Sequence, residues 1–467
     1  MHIRVGTRRS LLAMTQSKWV AAQLQALDPL LEISFVGIET QGDRILDVPL
    51  TDVPGKDFFV QELDQALLAQ EVDITVHSMK DLSLDRPDTI MLAAVPKREN
   101  PRDMLILHEG AGKHVRLGSS APRRMALVPG FMQDVLGMTC DMVPIRGNVP
   151  TRLAHSDVDG VILAAAGIAR LAEHSLLQGK RYAYLPLTHV PGAPAQGALA
   201  IECLTKRQDI RDLLAKIHDE KSARHAHAER QVLADWGGGC HQPLGATSFE
   251  VPGLGAMLIV RGVRDGRMHE EFRWSDAPVA PSHARYWDGM QHRPETRWTR
   301  LPHACVLKDR VFVAHPRALD ENLVMQLQGK HIYVSGLASW KALVQRGLWV
   351  EGCAEERGWE YLLSQVADGD WTILTHAGAQ YKENVIETYK GVHGYYDPAT
   401  ILELERATHI YWSSVSQVEE LLPRASTKAC MASGPGKTAQ YLESRGIKVQ
   451  RFPSYEYWKE WSSCSDV

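Results

Sequence analysis

The chain has 467 residues, 44% of them apolar and 23% charged, with a formal net charge of −4. This is the composition of an ordinary globular protein of roughly two to four compact domains. It offers no apolar run of the ~18 residues a transmembrane helix needs and no basic excess that would favour nucleic acid, although a local basic cleft is compatible with it. Seven widely spaced cysteines without a CxxC pair (Cys140, Cys203, Cys240, Cys305, Cys353, Cys430 and Cys464) exclude a disulfide framework and a zinc knuckle, so no metal site is expected. The start, Met1-His2-Ile3-Arg4-Val5, enters a strand-like segment without a signal-peptide core, which predicts a cytoplasmic protein.

The first 200 residues alternate strand and helix. Ile3–Gly6 reads as a strand and Leu11–Leu27 as an amphipathic helix capped by Ser10. Strands follow at Glu32–Glu39, Asp73–His77 and Ile90–Val95, with a helix over Phe58–Ala69. After Glu99-Asn100-Pro101 the pattern restarts: a helix at Arg123–Val128, a strand at Asp141–Ile145 and a buried strand at Gly160–Ala166. This predicts α/β architecture in two lobes, with ligands at the loops beyond the strand ends. A small α+β region begins near Ile217, with a helix over Ser222–Asp235, the turn Trp236–Gly239, and strands at Met257–Val263 and Met268–Trp274. Asp276–Leu301, rich in Pro, His, Arg and Trp without periodicity, reads as a linker. Beyond Cys305 the α/β alternation returns, with strands at Val311–His315, His331–Ser335, Trp371–Thr375, His409–Ser413 and Ala429–Ser433. Helices are predicted there at Ala318–Leu327, Ser339–Arg346, Gln380–Tyr389 and Lys437–Ser444.

Arginines gather at the strand ends: Arg8 and Arg9, Arg123 and Arg124 after Gly118-Ser119-Ser120-Ala121-Pro122, Arg146 in Ile145-Arg146-Gly147-Asn148, then Arg152 and Arg170. Guanidinium forks stay charged and match carboxylates, so a converging set suits a polycarboxylate ligand. The alternative for any one of them is a surface ion pair. Val76-His77-Ser78-Met79-Lys80-Asp81-Leu82 presents Lys80 and Asp81 where an apolar strand ends. A carboxylate there can steady a cationic intermediate or accept from ligand N–H groups; a structural ion pair is the bland alternative. Gly237-Gly238-Gly239 before Cys240 gives a loop with little steric cover, which can leave the thiol accessible, although a lone cysteine is more often inert. Gly434-Pro435-Gly436-Lys437-Thr438 imitates a phosphate loop, but the required first glycine is Met431.

Together these motifs resemble hydroxymethylbilane synthase, the porphobilinogen deaminase family, over roughly residues 3–275. The resemblance is carried in order by Gly6-Thr7-Arg8-Arg9-Ser10, Gln41-Gly42-Asp43, Gly55-Lys56, Val76–Asp81, Pro101-Arg102-Asp103, Arg146–Val149, Gln196-Gly197-Ala198, Ala228-Glu229-Arg230 and Gly238-Gly239-Cys240. It implies two periplasmic-binding-protein-like lobes (1–100 with a return over 198–215, and 101–197) and an α+β cofactor-carrying domain over 216–280. Residues 281–304 would be a linker. It also implies a dipyrromethane cofactor in thioether linkage to Cys240 and porphobilinogen as substrate, with no nucleic acid or membrane partner and a monomer or weak oligomer. Asp81 and Lys80 would be catalytic. Both, with Ser119, Ser120, Arg123, Arg124, Arg146 and Gly147, would hold the cofactor. Arg8, Ser10, Gln16, Lys56, Arg146, Arg152, Ala166, Arg170 and Gln196 would bind substrate. Asp52 and Asp57 around the loop lysine, Ala121, and Leu82-Ser83 depart from the family pattern.

Residues 305–467 more faintly resemble uroporphyrinogen-III synthase, through Ile410–Ser414, Ser433-Gly434-Pro435 with Thr438-Ala439, and Gly446–Val449 with Pro453. That implies an α/β region of flavodoxin-like or uroporphyrinogen-III-synthase-like type, shorter than the stand-alone enzyme, with Ser414, Thr438 and Tyr396 as a second site. The chain would then be bifunctional. The alternatives are a non-catalytic C-terminal module, or a two-lobed anion-binding protein without chemistry.

Overall fold

The computed structural model describes residues 1–44, 58–171, 174–239, 242–251, 253–279, 281, 283–303, 306–366, 369–379 and 381–463. It is mixed α/β with several sheets and divides into two units: Met1–Phe249 with Leu258–Arg273, and Glu250–Met257 with Trp274–Val467. Among the described residues no helix is long and apolar enough to cross a membrane.

In the first unit, β1 (His2–Arg8), β2 (Glu32–Ile38), β3 (Ile74–Ser78) and β4 (Ile90–Ala94) belong to one sheet. A second sheet takes β5 (Asp103–Leu107), β6 (His114–Gly118), β7 (Thr139–Val143), β8 (Gly160–Ala164) and β9 (Arg181–Tyr184). β10 (Leu199–Leu204) returns to the first sheet, between β3 and β4 and antiparallel to both, giving the order β2-β1-β3-β10-β4. The second sheet runs β7-β6-β8-β5-β9. Ile3, Val5, Ile74, Val76, Leu199 and Ile201 form the core of the first sheet against the helix Leu11–Leu27. That helix begins as predicted, with Ser10 Oγ accepting from the Ala13 amide at 3.3 Å.

The helix Glu220–Asp235 packs Val232 and Leu233 on a three-stranded sheet of β11 (Leu244–Val251), β12 (Gly255–Arg264) and β13 (Arg267–Trp274). Gly237, Gly238 and Gly239 follow that helix with φ of 93°, 73° and 92°, a left-handed run that side chains with a Cβ resist.

The second unit has two sheets. β14 (Tyr286–Asp288) and β15 (Thr296–Arg300) come first, then β16 (Arg310–Val313), β17 (His331–Val334), β18 (Gly352–Cys353), β19 (Trp371–His376) and β20 (Asn384–His393). β21 (His409–Trp412), β22 (Cys430–Ser433) and β23 (Val449–Arg451) complete the set. Their orders are β14-β21-β22-β23, all parallel, and β15-β20-β19-β16-β17-β18, parallel except for β15 at one edge.

Three sequence expectations need correction. The stretch 281–304 is not a linker, because β14 pairs in register with β21 and β15 with β20. Strands this short carry too few residues for a period to show. Gln380–Tyr389 is not helical: the described part from Asn384 is β20, flanked by β19 and β15, and Val385, Ile386 and Thr388 favour an extended chain. Ala318–Leu327 is a 3-10 turn over Pro316–Ala318 and then a helix over Glu321–Gln326. Asp320 starts the helix by accepting from the Leu323 amide at 2.8 Å.

Candidate active site

β3 ends at Ser78, and the chain turns through a single 3-10 turn, Met79–Asp81. The turn is tied in front by the Met79 amide on the Ala198 carbonyl, 3.0 Å. Asp81 borders a pocket with Arg8, Gln16, Phe59, His77 and Ser78. Arg8 closes β1 and lays its guanidinium 4.1 Å from the centre of the Phe59 ring. Gln16, buried on the first helix, exchanges hydrogen bonds with Ser78 Oγ at 3.0 and 3.2 Å. Beneath the pocket His77 Nε2 meets Thr75 Oγ1 at 3.0 Å and the buried Glu202 carboxylate at 3.3 Å, and Glu202 also receives Arg86. Burial would raise the Glu202 pKa, but His77 and Arg86 outweigh it and hold it down.

The second sheet supplies the cations. Asp103, fully buried at the start of β5, accepts both Arg124 Nε and Nη2, at 3.1 and 2.7 Å, and Arg123 Nη2 at 2.7 Å. Arg124 also donates to the Ile162 carbonyl and Arg123 to that of Pro191, each at 2.8 Å. Burial alone would raise the Asp103 carboxyl, but the two guanidiniums hold it well below the ordinary carboxylate range. This pair therefore serves first as internal architecture, closer to the bland reading of the arginines than to the ligand reading. The guanidiniums still have N–H groups to spare, since each carries five.

Lys80 is half-buried, and desolvation lowers its pKa, with Arg124 and Arg123 adding to the effect and Asp81 and Asp103 opposing it. Arg152 donates Nε to the Gly147 carbonyl at 2.8 Å. Burial, then Arg124 and Arg146, push Arg152 down to about 10, while Asp81 pulls the other way. These cross-effects place Lys80, Asp81, Arg123, Arg124, Arg146 and Arg152 in one electrostatic neighbourhood. Its cations outnumber Asp81 and Asp103.

The other predicted positions divide. Ser120 Oγ donates to the Ile145 carbonyl at 2.7 Å, and buried Ser119 accepts from the Ala121 amide at 3.3 Å, so both serve the turn into the helix Pro122–Asp134. Ser10 is occupied as a helix cap. Gly147 is exposed, with φ 108°, and Ala166 is buried in the helix Ala165–Arg170. Arg170 donates to the Gly197 carbonyl at 2.6 Å, and burial takes it to about 10. Buried Gln196 donates to the Pro101 carbonyl and to Asp103, at 2.8 and 2.9 Å, while its buried Oε1 has no partner among the described residues. Gly197 must be glycine, because a Cβ there would lie 2.5 Å from the Glu99 carbonyl oxygen. Cys240, His241, Lys56, Asp52 and Asp57 lie outside the described residues.

In the second unit Ser414 caps the helix Val415–Leu421 through the Gln417 amide, 3.3 Å, and Thr438 lies on the helix Lys437–Ser444. Tyr396 packs beside the core of the four-stranded sheet, and desolvation raises its phenol. These three share the four-stranded sheet's surroundings.

Asp103, Phe59 and His77 were not picked from the sequence as site residues. Asp103 carried a signal in Pro101-Arg102-Asp103, and Phe59 in the aromatic pair after Lys56. His77 gives no such signal, because it sits in an apolar strand and its partner, Glu202, is distant in sequence.

Among the described residues no group of three or more His, Cys, Asp or Glu could hold a metal ion. Dipyrromethane, with carboxylate arms and pyrrole N–H groups, fits the residues present. The excess of cations would suit the former, and Asp81 and Gln196 Oε1, which has no partner among the described residues, would be acceptors for the latter.

Comparison with known proteins gives the same direction. The family model for the dipyromethane cofactor binding domain of porphobilinogen deaminase matches residues 3–212. A porphobilinogen deaminase of Syntrophotalea carbinolica is 41% identical over 291 residues, 60% of this chain and 89% of that protein. One from Syntrophobacter fumaroxidans is 38% identical over 61% of this chain and 90% of its own length, and one from Bacillus velezensis 41% identical over 52% and 77%. Among solved structures, a probable amino-acid ABC transporter extracellular-binding protein of Bacillus subtilis aligns at 15% identity and a TM-score of 0.29, over 51% of this chain and 93% of its own. With 269 to 291 of its residues aligned to relatives along 84% to 90% of their length, the chain belongs to the porphobilinogen deaminase family.

Proposed function

We propose that the chain is a hydroxymethylbilane synthase, which joins porphobilinogen units head to tail with loss of ammonia and releases the linear tetrapyrrole by hydrolysis. The observation that carries this reading is Asp81, on a turn of the first sheet, set within the field of the arginines of the second. The two five-stranded sheets would be the periplasmic-binding-protein-like lobes. The bound dipyrromethane would supply the pyrrole α-carbon on which the chain is extended.

The protein's own groups do the rest. When the aminomethyl nitrogen of porphobilinogen leaves, the substrate becomes a delocalised cation. Asp81 accepts from the pyrrole N–H and lowers the energy of that charge in a half-buried site, where it counts for more than in water. Lys80, Arg146 and Arg152 take the carboxylate arms and fix their register, with Arg123 and Arg124 behind them. Arg8, steadied on Phe59, and Gln16 with Ser78 shape the pocket wall. Lys56, which lies beyond the described residues, would bind substrate.

Asp81→Asn keeps the shape and removes the charge. It is expected to lower turnover of porphobilinogen by at least ~10²-fold. A mass increment matching one dipyrrole, present in the wild-type protein and absent from Cys240→Ser, checks the cofactor separately. Without that increment, the reading reduces to an anion-binding protein.

A second activity, closure of the bilane by a uroporphyrinogen-III-synthase-like unit, is favoured by one observation. The four-stranded sheet is built from chain on both sides of the six-stranded one: β14 precedes it and β21 to β23 follow. A pair of α/β lobes threaded in this way suits a synthase that holds its substrate between them. Incubation with porphobilinogen alone, then oxidation and separation of the uroporphyrins, decides it. Isomer III means that both units work; isomer I means that the second is a non-catalytic module.

A further inference from the structure

The run Ala228-Glu229-Arg230 belongs to the family pattern, yet the chemistry above leaves it without a task. It lies on the helix Glu220–Asp235, which starts where Asp219 accepts from the Ser222 amide at 2.7 Å and ends at the glycine turn before Cys240. Glu229 is completely buried. Its carboxylate accepts Arg98 Nη1 and Nη2 at 2.6 and 2.8 Å, and the amides of Ala195 and Ser248, both at 2.6 Å. These bonds lock the rotation and height of the helix against the segments that join the two sheets. Arg230, about 100° further round the helix, reaches a different segment. Nη1 donates to the carbonyls of Met79 and Leu82, at 3.1 and 2.8 Å, and Nη2 to that of Ser83 at 2.6 Å.

Met79 opens the 3-10 turn that carries Lys80 and Asp81, its carbonyl already accepting the Leu82 amide at 3.3 Å, and Leu82 and Ser83 lie just past the end of the turn. Carbonyls at the end of so short a helix lack intrahelical partners. Here one planar guanidinium gathers the carbonyls from both ends of the turn. The glycine turn that follows the helix meets this stretch again, because a Cβ on Gly238 would lie 3.3 Å from Leu84 Cδ1. The turn is thus held in front by Ala198 and behind by Arg230, on the element from which the cofactor loop departs.

We propose that Arg230 is a positioning residue: by clamping the Met79, Leu82 and Ser83 carbonyls it sets the Asp81 carboxylate relative to the cofactor-bearing loop, without touching substrate itself. The inference rests on the reading of Asp81 as the catalytic carboxylate. Lysine cannot replace arginine here, since a single ammonium on a flexible stem does not reproduce a planar fork spanning several carbonyls. A displacement of ~1 Å at a reacting group costs on the order of 10²-fold in rate.

The test uses the full-length holoenzyme carrying Arg230→Lys and, separately, Arg230→Gln. Steady-state kinetics with porphobilinogen are normalised to the cofactor-loaded fraction measured by intact mass, and melting temperature is recorded alongside. The expected result is a kcat per loaded enzyme lower by ~10- to 100-fold with KM within ~3-fold. Partial recovery of an Arg230→Ala holoenzyme by millimolar guanidinium is also expected, which a merely structural role would not give. A kcat per loaded enzyme within twofold of wild type in both variants overturns the inference, whatever happens to melting temperature or loading. Asp81→Glu, made in parallel, keeps the two ideas apart. If it turns over at the wild-type rate, the catalytic reading fails and this inference falls with it. If it is slow while the Arg230 variants are not, the positioning role alone is lost.

Discussion

The two units hold themselves together by different means. The interior of the first contains buried charge: Asp103 between Arg123 and Arg124, Glu229 on Arg98, and Glu202 with His77 and Arg86. The second is filled with indole. Of the chain's 12 tryptophans, only Trp19 and Trp236 fall in the first unit. Trp287, Trp340, Trp412 and Trp458 are among the largest fully buried side chains, and Trp359 packs edge-on to Trp371 with ring centres 5.1 Å apart. A buried ion pair is weak as a source of net stability but costly to break on one side. Aromatic packing contributes by area and shape and tolerates local change better. The first unit keeps charges inside at the proposed site, where a polyanionic ligand would need charges held rigidly, so its architecture and that proposed site would share residues. In the second, the core and the proposed site are largely different residues.

The sharpest way to break this contrast is Asp103→Asn. It removes the anion between two buried guanidiniums and turns one of its acceptor oxygens into an N–H donor among donors. A loss of about 3–5 kcal/mol is expected in the first unit. Thermal inactivation of porphobilinogen turnover, scanned with tryptophan fluorescence, separates the units, because the fluorescence reports mostly the second. Inactivation should move to much lower temperature while the main fluorescence transition stays in place. If the fluorescence transition falls by as much, the second unit depends on the first and the two cannot be weighed separately.

The same contrast explains what the sequence could show. Asp81, Lys80 and the arginines stand out in the sequence as candidates because ionisable side chains in short motifs at strand ends can be seen from local spacing alone. The helix Leu11–Leu27 with its Ser10 cap was legible because capping is local. What joins them was not. The bonds of Glu229 to Ala195 and Arg98, or of Arg230 to Ser83, span long sequence separations, and no period encodes them. Nor could the commitment of Arg123 and Arg124 to Asp103 be read, so they looked like open ligand forks. In the second unit β14 and β15 hide because each strand's period is cut off after a few residues, and β20 because Tyr381, Tyr389 and alternating charges imitate a helical stripe.

A smaller effect is expected at Lys437, in the run that imitates a phosphate loop. Met431, where such a loop needs glycine, is a buried residue of β22, and Lys437 opens the next helix with Nζ 3.2 Å from the centre of the Tyr381 ring. Nζ is buried without a hydrogen-bond partner among the described residues. Burial lowers its pKa from 10.5 to about 8, with Glu360 and Glu383 opposing. The folded state therefore binds fewer protons here than the unfolded chain, so stability rises with pH between those two values. Lys437→Met removes the penalty. The second unit should gain roughly 2 kcal/mol at pH 7, after discounting for solvent screening of a partly exposed group and for the contact with Tyr381, and lose that part of its pH slope. Fluorescence-detected melting between pH 7 and 10 reads both, and an unchanged slope would mean that the ammonium is better solvated than its surroundings imply.

The smallest effect separates packing from chemistry at the proposed second site. Ser414 Oγ accepts from the Gln417 amide and also meets Ser416 Oγ at 3.1 Å. Ser414→Ala should therefore cost about 1 kcal/mol as a lost helix cap, whether or not the residue touches a bilane. Asparagine restores a capping acceptor but not the hydroxyl. If Ser414→Ala shifts the uroporphyrin product towards isomer I and Ser414→Asn restores both melting temperature and isomer III, the residue acts through the cap alone. If Ser414→Asn restores the melting temperature while the product stays isomer I, the hydroxyl itself meets the substrate, and the second unit has a site distinct from its core.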